Sequence, residues 1–385
     1  MINSIELFCG AGGLALGLQK SGINHKALFE WDKYSCDNIE LNISKGFRLV
    51  TDWKVFNTDV RTVNFHSYQY NIDVVSGGPP CQPFSLGGKA RANNDKRDMW
   101  PEAIRAIREV MPKAFIFENV QGLLRSAFSD YFHYILLQLK HPSIEPRSNL
   151  WTTHYKELLE IERNNTSSNS EDYDVTFQLV NVADYGIPQS RYRVFIIGFK
   201  RNLGINYVFP EPNCSKDALL YDKWVTGTYW KEHELSAPAC QISSQKIELL
   251  RNNPPKTNRW RTVRDAISDL PSPVIASSLS IKNHEFRPGA KTYPGHTGSS
   301  LDEPSKTIKA GVHGVPGGEN TIIEDDNTLR YYTVRESARI QTFDDDYEFG
   351  CPWGEAMRQI GNAVPVQMAE IVGRSVVEKL ERGAR

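Results

Sequence analysis

Over the first two hundred residues, short apolar runs alternate with stretches of helical periodicity, and this alternation constrains the fold more than any other feature. The runs Ile5–Phe8, Lys26–Phe29, Ile72–Ser76, Ala114–Phe117 and Val194–Ile197 predict buried strands. The periodic stretches Leu14–Lys20, Tyr34–Asn42, Pro101–Val110 and Tyr131–Leu139 predict helices. Strands that alternate with helices pair in parallel and bury both sheet faces, which places the chain in the α/β class. From about Arg201 the alternation fades and Pro, Gly, Asn and Trp become frequent, which predicts a second, smaller, irregular domain of loops and short strands. Regularity returns near Tyr331 and ends in an amphipathic helix over Gln367–Leu380. The polar stretch Asn164–Asp172 reads as a mobile loop.

At 385 residues with 40% hydrophobic side chains, the chain is long enough for one large domain and a smaller one. It carries no apolar run of bilayer length and no signal-peptide pattern at its start, so a soluble cytoplasmic protein without a membrane partner is expected. None of the six cysteines forms a Cys-x-x-Cys pair and no His cluster accompanies them, which argues against structural zinc, any other metal site and a disulfide framework. The net charge of −1 says little, but Gln241–Ala310 holds eleven Lys or Arg against six Asp or Glu. Such a basic segment suits a polyanion, and it also suits an ordinary solvated surface.

Two strand ends carry features of a ligand site. The first strand runs into Phe8-Cys9-Gly10-Ala11-Gly12-Gly13-Leu14, glycines at a strand-to-helix turn that let a ligand approach main-chain amides. The second ends at Glu30-Trp31-Asp32, with Glu30 eighteen residues after Gly12, the distance at which an acid binds ribose hydroxyls in dinucleotide-type folds. Trp31 is suited to cover an adenine face, and Asp59-Val60 offers an acid for the adenine amino group. The pattern fits an adenosine ligand without separating NAD from S-adenosylmethionine.

A second group carries chemistry. Gly77-Gly78-Pro79-Pro80-Cys81 follows the strand Ile72–Ser76 and puts a thiol where α/β sheets bind ligands. The prolines restrict the approach to Cys81, and its thiolate is a potential nucleophile. Glu118 lies at the end of an apolar strand, where an acid is expensive without a task. Arg191 and Arg193 alternate along an extended segment and are expected on one face.

Together these residues resemble the DNA (cytosine-5) methyltransferase family, especially its bacterial restriction-modification members. The match runs from Ile5 to about Glu370. It includes Glu6–Gly17, Gly77–Ser85 with Pro-Pro-Cys-Gln-Pro-Phe-Ser, Glu118-Asn119-Val120, Asn181–Arg193, Thr333–Gln341 and Gln359–Pro365. Two positions depart from the usual pattern: Glu6 stands for Asp, and Trp100 for Leu. The resemblance implies a Rossmann-like S-adenosylmethionine-dependent domain over 1–199 plus 355–385 and a target-recognition domain over 200–354. It implies a catalytic set of Cys81, Glu118, Arg191 and Arg193. It implies cofactor contacts from Phe8, Gly10, Gly12, Gly13, Leu14, Glu30, Trp31, Asp59, Val60, Pro80, Asn362 and Val364. Ser85, Lys89, Arg91 and Arg97 are expected on DNA. The implied substrate is double-stranded DNA with its target cytosine flipped out. A monomer is expected, with a cognate restriction endonuclease as functional partner.

Three other readings remain at this point. A nicotinamide dehydrogenase leaves Cys81, Glu118 and the Gln-x-Arg-x-Arg run unexplained. A tRNA-acting relative of the same family has a much smaller variable region. A catalytically silent DNA-binding regulator would usually lack the nucleophile.

Overall fold

The computed structural model describes residues 1–80, 98–147, 150–164, 172–276, 281–291, 297–310 and 320–383. These residues pack into two compact units, one of 1–180, 192–210 and 369–385, the other of 181–191 and 211–368. The expected division differs in three places: 181–191 leave the α/β portion, 200–210 join it, and the second unit extends to 368 rather than 354. The first and last of these stretches look regular in sequence, but their side chains are buried among those of the second unit. The expected loop at 164–172 lies almost entirely outside the described residues.

The first unit is built on β1 (Ile2–Leu7), α1 (Gly13–Lys20), β2 (Ile23–Glu30), α2 (Lys33–Ser44), β3 (Val55–Asn57), β4 (Val74–Gly77), α3 (Trp100–Val110), β5 (Ala114–Val120), α4 (Ser129–Lys140), α5 (Trp151–Asn164), β6 (Tyr173–Asn181) and β7 (Tyr192–Lys200). The sheet order is β3-β2-β1-β4-β5-β7-β6, a Rossmann-like arrangement. Strands β3 through β5 pair in parallel, while β7 runs antiparallel to β5. Each strand foreseen from the sequence is present with shifted ends; β3, α5 and β6 were not foreseen. These three are short or largely polar: β6 exposes much of its length, and α5 buries only His154 and Leu158.

Close strand packing explains one glycine. A Cβ on Gly77 would lie 2.6 Å from the Leu7 carbonyl oxygen, its partner across β1 and β4, so only glycine lets the strands meet there. Trp100, one of the departures, is fully buried edge-on against Phe117 at 5.7 Å and fills the space under β5.

The second unit consists of short helices, a three-stranded sheet (Ser299–Ser300, Thr321–Ile323, Leu329–Tyr331) and a two-stranded ladder (Cys214–Ser215, Asn258–Arg259). The helices went unforeseen because most are only one or two turns long. Val334–Ile340 has a full capping box, with Thr333 and Glu336 exchanging hydrogen bonds. The last helix, Val366–Gly383, begins in this unit and continues into the other. Among the described residues no helix is long and apolar enough to cross a membrane.

Candidate active site

In the first unit, Phe8, Glu30, Asp59 and Glu118 lie at or just beyond the carboxyl ends of the parallel strands. After β1 the chain makes a tight turn in which Phe8, Gly10 and Gly12 all have positive φ, at 57°, 52° and 80°. Phe8 holds a conformation that L-residues rarely adopt, the kind of local strain that collects at ligand sites. Gly12 caps α1, and a Cβ there would approach the Trp53 ring to 3.3 Å. Gly13 and Leu14 open the buried first turn of α1. At Gly10 a Cβ would meet nothing within 4 Å, so this main chain faces open space.

Glu30 closes the turn. Its Oε2 accepts from Gly10 N at 2.8 Å, and its Oε1 accepts from Trp31 N and Asp32 N at 3.0 and 2.9 Å. Burial raises the Glu30 pKa, against the pull of those amides. The Trp31 ring is 72% exposed, a large apolar face without cover. Asp59 caps the turn Val60–Thr62, and its carboxylate is engaged by Arg61 Nε at 2.9 Å, which holds its pKa low. Val60 is buried, and its carbonyl accepts from Arg105 at 2.8 Å. An open-faced glycine turn, a carboxylate drawn onto it and an uncovered indole fit the adenosine half of S-adenosylmethionine. Pro80 is exposed beyond β4, whereas Asn362 and Val364 belong to the second unit, the first exposed and the second buried.

One strand over, Glu118 and Arg193 meet. Glu118 pairs with Phe195 and Val120 with Arg193 across β5 and β7, which makes Glu118 and Arg193 diagonal neighbours on one sheet face. Arg193 Nε lies 2.7 Å from Glu118 Oε1, and both side chains are almost wholly buried. Burial pulls the Arg193 pKa down, opposed by the nearby Glu118 carboxylate. The other Glu118 oxygen faces Gly78: a Cβ built there would stand 3.5 Å from Oε2. The carboxylate therefore borders the backbone that leads to Cys81. Cys81 itself, with Ser85, Lys89, Arg91 and Arg97, lies outside the described residues.

Arg191 departs from the expectation of a face shared with Arg193. Strand β7 starts only at Tyr192, and Arg191 packs in the second unit with no exposed surface. Its guanidinium donates to the carbonyls of Ile308, Gly361 and Ala363 at 3.0, 2.7 and 3.1 Å. Gln341 Nε2 donates to Ile360 and Ala363, and Gln189 ties Gln341 to Ile308. Arg191 is thus a strut for the turn around Asn362.

The structure also separates the polar side chains of the basic region. Arg264 donates to Asp302 and Asp325, Arg259 to Asp265 and Glu232, and Trp260 to Asp184. His284 is buried between Thr333 and the Pro271 carbonyl. These hold the unit together. Arg261, Arg287 and Lys291 are exposed, Arg287 lying over the Trp353 ring at 5.4 Å.

Sequence reasoning missed Glu6 as more than a mild departure. It is fully buried on β1 beside Ser76, whose hydroxyl donates to it at 2.9 Å, and burial pushes its pKa up to about 8. An acid inside the otherwise apolar run Ile5–Phe8 was the available signal.

Comparison with known proteins shows the family and the fold. The chain matches the model of the family described as C-5 cytosine-specific DNA methylase over residues 2–142 and 149–378. It is 30% identical to the type II methyltransferase M.NgoMIV of Neisseria gonorrhoeae, with 98% of each chain covered. It is 32% identical to the type II methyltransferase M.Eco47II of Escherichia coli, over 98% of this chain and 79% of that one. Among solved structures, the S. pombe Dnmt2 methyltransferase is similar with a TM-score of 0.54 at 17% identity, covering 99% of this chain and 98% of the other.

Proposed function

The chain belongs to the C-5 cytosine-specific DNA methylase family, whose methyl donor is S-adenosylmethionine, and we propose that it methylates one cytosine within a short double-stranded DNA sequence through a covalent Cys81 intermediate. It is a DNA cytosine-5 methyltransferase of restriction-modification type. The observation that carries the mechanism is the buried Glu118–Arg193 pair, 2.7 Å apart beside Gly78.

In this reading the target cytosine leaves the duplex, because carbon 6 is inaccessible in a stacked base. The Cys81 thiolate adds to carbon 6 and makes carbon 5 nucleophilic. Glu118 holds or protonates ring nitrogen 3, which stabilises the charge that this addition creates, and Arg193 binds the 2-oxygen. The bound cofactor supplies an electrophilic methyl group. Loss of the carbon 5 proton and departure of the Cys81 sulfur restore the aromatic ring. Glu30 and the Phe8–Leu14 turn hold the ribose, Trp31 covers the adenine, and Asp59 is freed from Arg61 to meet the amino group. Arg191 acts on the turn around Asn362 rather than on the base. The protein works as a monomer, with a cognate endonuclease as functional partner.

Transfer of radioactive methyl groups to DNA, to tRNA and to neither tests this. Incorporation into DNA alone is expected, with sequencing of the modified cytosines giving the site. Incorporation into tRNA alone would move the reading to the tRNA-acting relatives.

A further inference from the structure

The arginines of the second unit divide by whether their donors are spent. Arg264, Arg330 and Arg339 donate to carboxylates, and Arg335 donates to the carbonyls of Lys282 and Tyr347. Arg287 differs. Its guanidinium lies over the Trp353 ring, 5.4 Å from the centroid, and among the described residues none of its N–H groups enters a hydrogen bond or ion pair. A cation over an aromatic face is held in place while its donors stay available. The platform is itself fixed: Trp353 opens the helix Trp353–Asn362 and packs edge-on against Tyr331 at 5.4 Å. So is the chain that carries Arg287. Asn283, at φ 64°, exchanges two hydrogen bonds with the Phe349 main chain, each 2.9 Å, and its carbonyl accepts from Arg335 N at 2.7 Å. His284 is buried between the Thr333 hydroxyl and the Pro271 carbonyl. From that anchorage the chain emerges into solvent at Phe286 and Arg287, and Pro288 fixes the next φ.

Donors held at a fixed place suit acceptors that the substrate brings, because little side-chain freedom remains to be lost on binding. DNA offers a guanidinium two kinds of paired acceptor: a phosphate, and the O6 and N7 edge of guanine. Phe286 favours the second. It is next to Arg287 in the chain and 44% exposed, and base edges in the major groove offer apolar contacts, such as the thymine methyl, that a row of phosphates does not. We propose that Arg287 is a specificity-determining residue that reads one guanine of the recognition sequence, donating to its O6 and N7 in the major groove. This rests on the DNA methyltransferase reading given above.

Sequencing of the cytosines modified by the parent gives its site. Methyl transfer is then measured as kcat/KM on a duplex with that site and on duplexes that each change one base pair outside the target. Arg287→Ala is expected to lower kcat/KM on the parent's site by roughly 10- to 100-fold, and to bring the duplexes changed at one G·C pair to within about three-fold of that site. Preferences at the other pairs should stay. A second measurement leaves the protein whole: 7-deazaguanine, which lacks the N7 acceptor, replaces each guanine of the site in turn. At one position it should cost the parent roughly 10-fold and Arg287→Ala less than about two-fold. An equal loss on every duplex marks a phosphate contact and overturns the inference. So does an Arg287→Ala variant that keeps every preference of the parent, or a parent indifferent to 7-deazaguanine at every position. A parent that methylates no DNA strikes the function proposed above; a parent that methylates one sequence, with Arg287→Ala unchanged in its preferences, strikes only the role of Arg287.

Discussion

Gly10 and Glu30, twenty residues apart in sequence, are joined by one hydrogen bond, 2.8 Å from the glycine N–H to the carboxylate. The bond brings the acid at the end of β2 onto the turn after β1 and leaves the Trp31 ring beside it exposed. Glu30→Ala and Trp31→Ala are each expected to weaken S-adenosylmethionine binding, the latter by roughly 10-fold as a stacking face is lost, with DNA binding retained. Because burial raises the Glu30 pKa, cofactor affinity should fall as pH drops through that raised value. Calorimetry across pH checks both, and unchanged cofactor affinity in both variants removes the assignment.

Glu6 gives a stability prediction. Its folded pKa of about 8 lies above its ordinary 4.5, so the folded state binds the proton more tightly between those values and stability falls as pH rises through them. At 1.36 kcal/mol per unit, the penalty for ionising it in place is on the order of 5 kcal/mol. Glu6→Gln should flatten the profile and melt higher than the parent at pH 8 and above, while differing little near pH 4. Parallel melting curves at all pH values would contradict this.

Arg191 and Arg193 should separate in mutagenesis although they are two residues apart. Arg191→Ala takes a donor from three carbonyls, of which Ala363 keeps Gln341, and is expected to destabilise the fold by roughly 3–5 kcal/mol in denaturant titration. Arg193→Lys keeps the charge but loses the guanidinium geometry, and should lower kcat by roughly 100-fold with a smaller change in stability. Equal effects on kcat and stability in both variants would argue against the division.

Arg261, Arg287 and Lys291 are exposed, whereas Arg264 and His284 are committed to internal partners. Alanine at the first three should weaken DNA binding and reduce its salt dependence, with melting temperature unchanged. Alanine at Arg264 or His284 should lower the melting temperature first. Binding titrations at several salt concentrations, paired with melting curves, distinguish the two groups.

Cys81 gives the chemical prediction. Target DNA with 5-fluorocytosine should yield a denaturant-stable adduct that depends on S-adenosylmethionine, because fluorine does not leave carbon 5 as a cation. Cys81→Ser should abolish it, and Glu118→Gln should slow it. Mass spectrometry of the digested adduct locates the bond; linkage through another cysteine would refute the mechanism.

The sequence by itself determined what is local in chain or in chemistry. The glycine turn before α1, the acid at the end of β2 and the Gly-Gly-Pro-Pro-Cys run after β4 are fixed by residue types whose backbone preferences few others share. Apolar runs marked the interior strands because such strands are buried on both faces. Tertiary structure decided what depends on partners distant in the chain. A two-residue spacing puts arginines on one face only within a single strand; β7 begins between Arg191 and Arg193, so one packs against carbonyls and the other against Glu118. The Glu118–Arg193 pair exists because antiparallel register makes the two diagonal neighbours, and no spacing along the chain encodes that register. Likewise Arg264 meets Asp302 and Asp325 by virtue of which surfaces are packed together. Charge is legible in sequence, but whether a charge is free for DNA or occupied inside the fold depends on its neighbours in space.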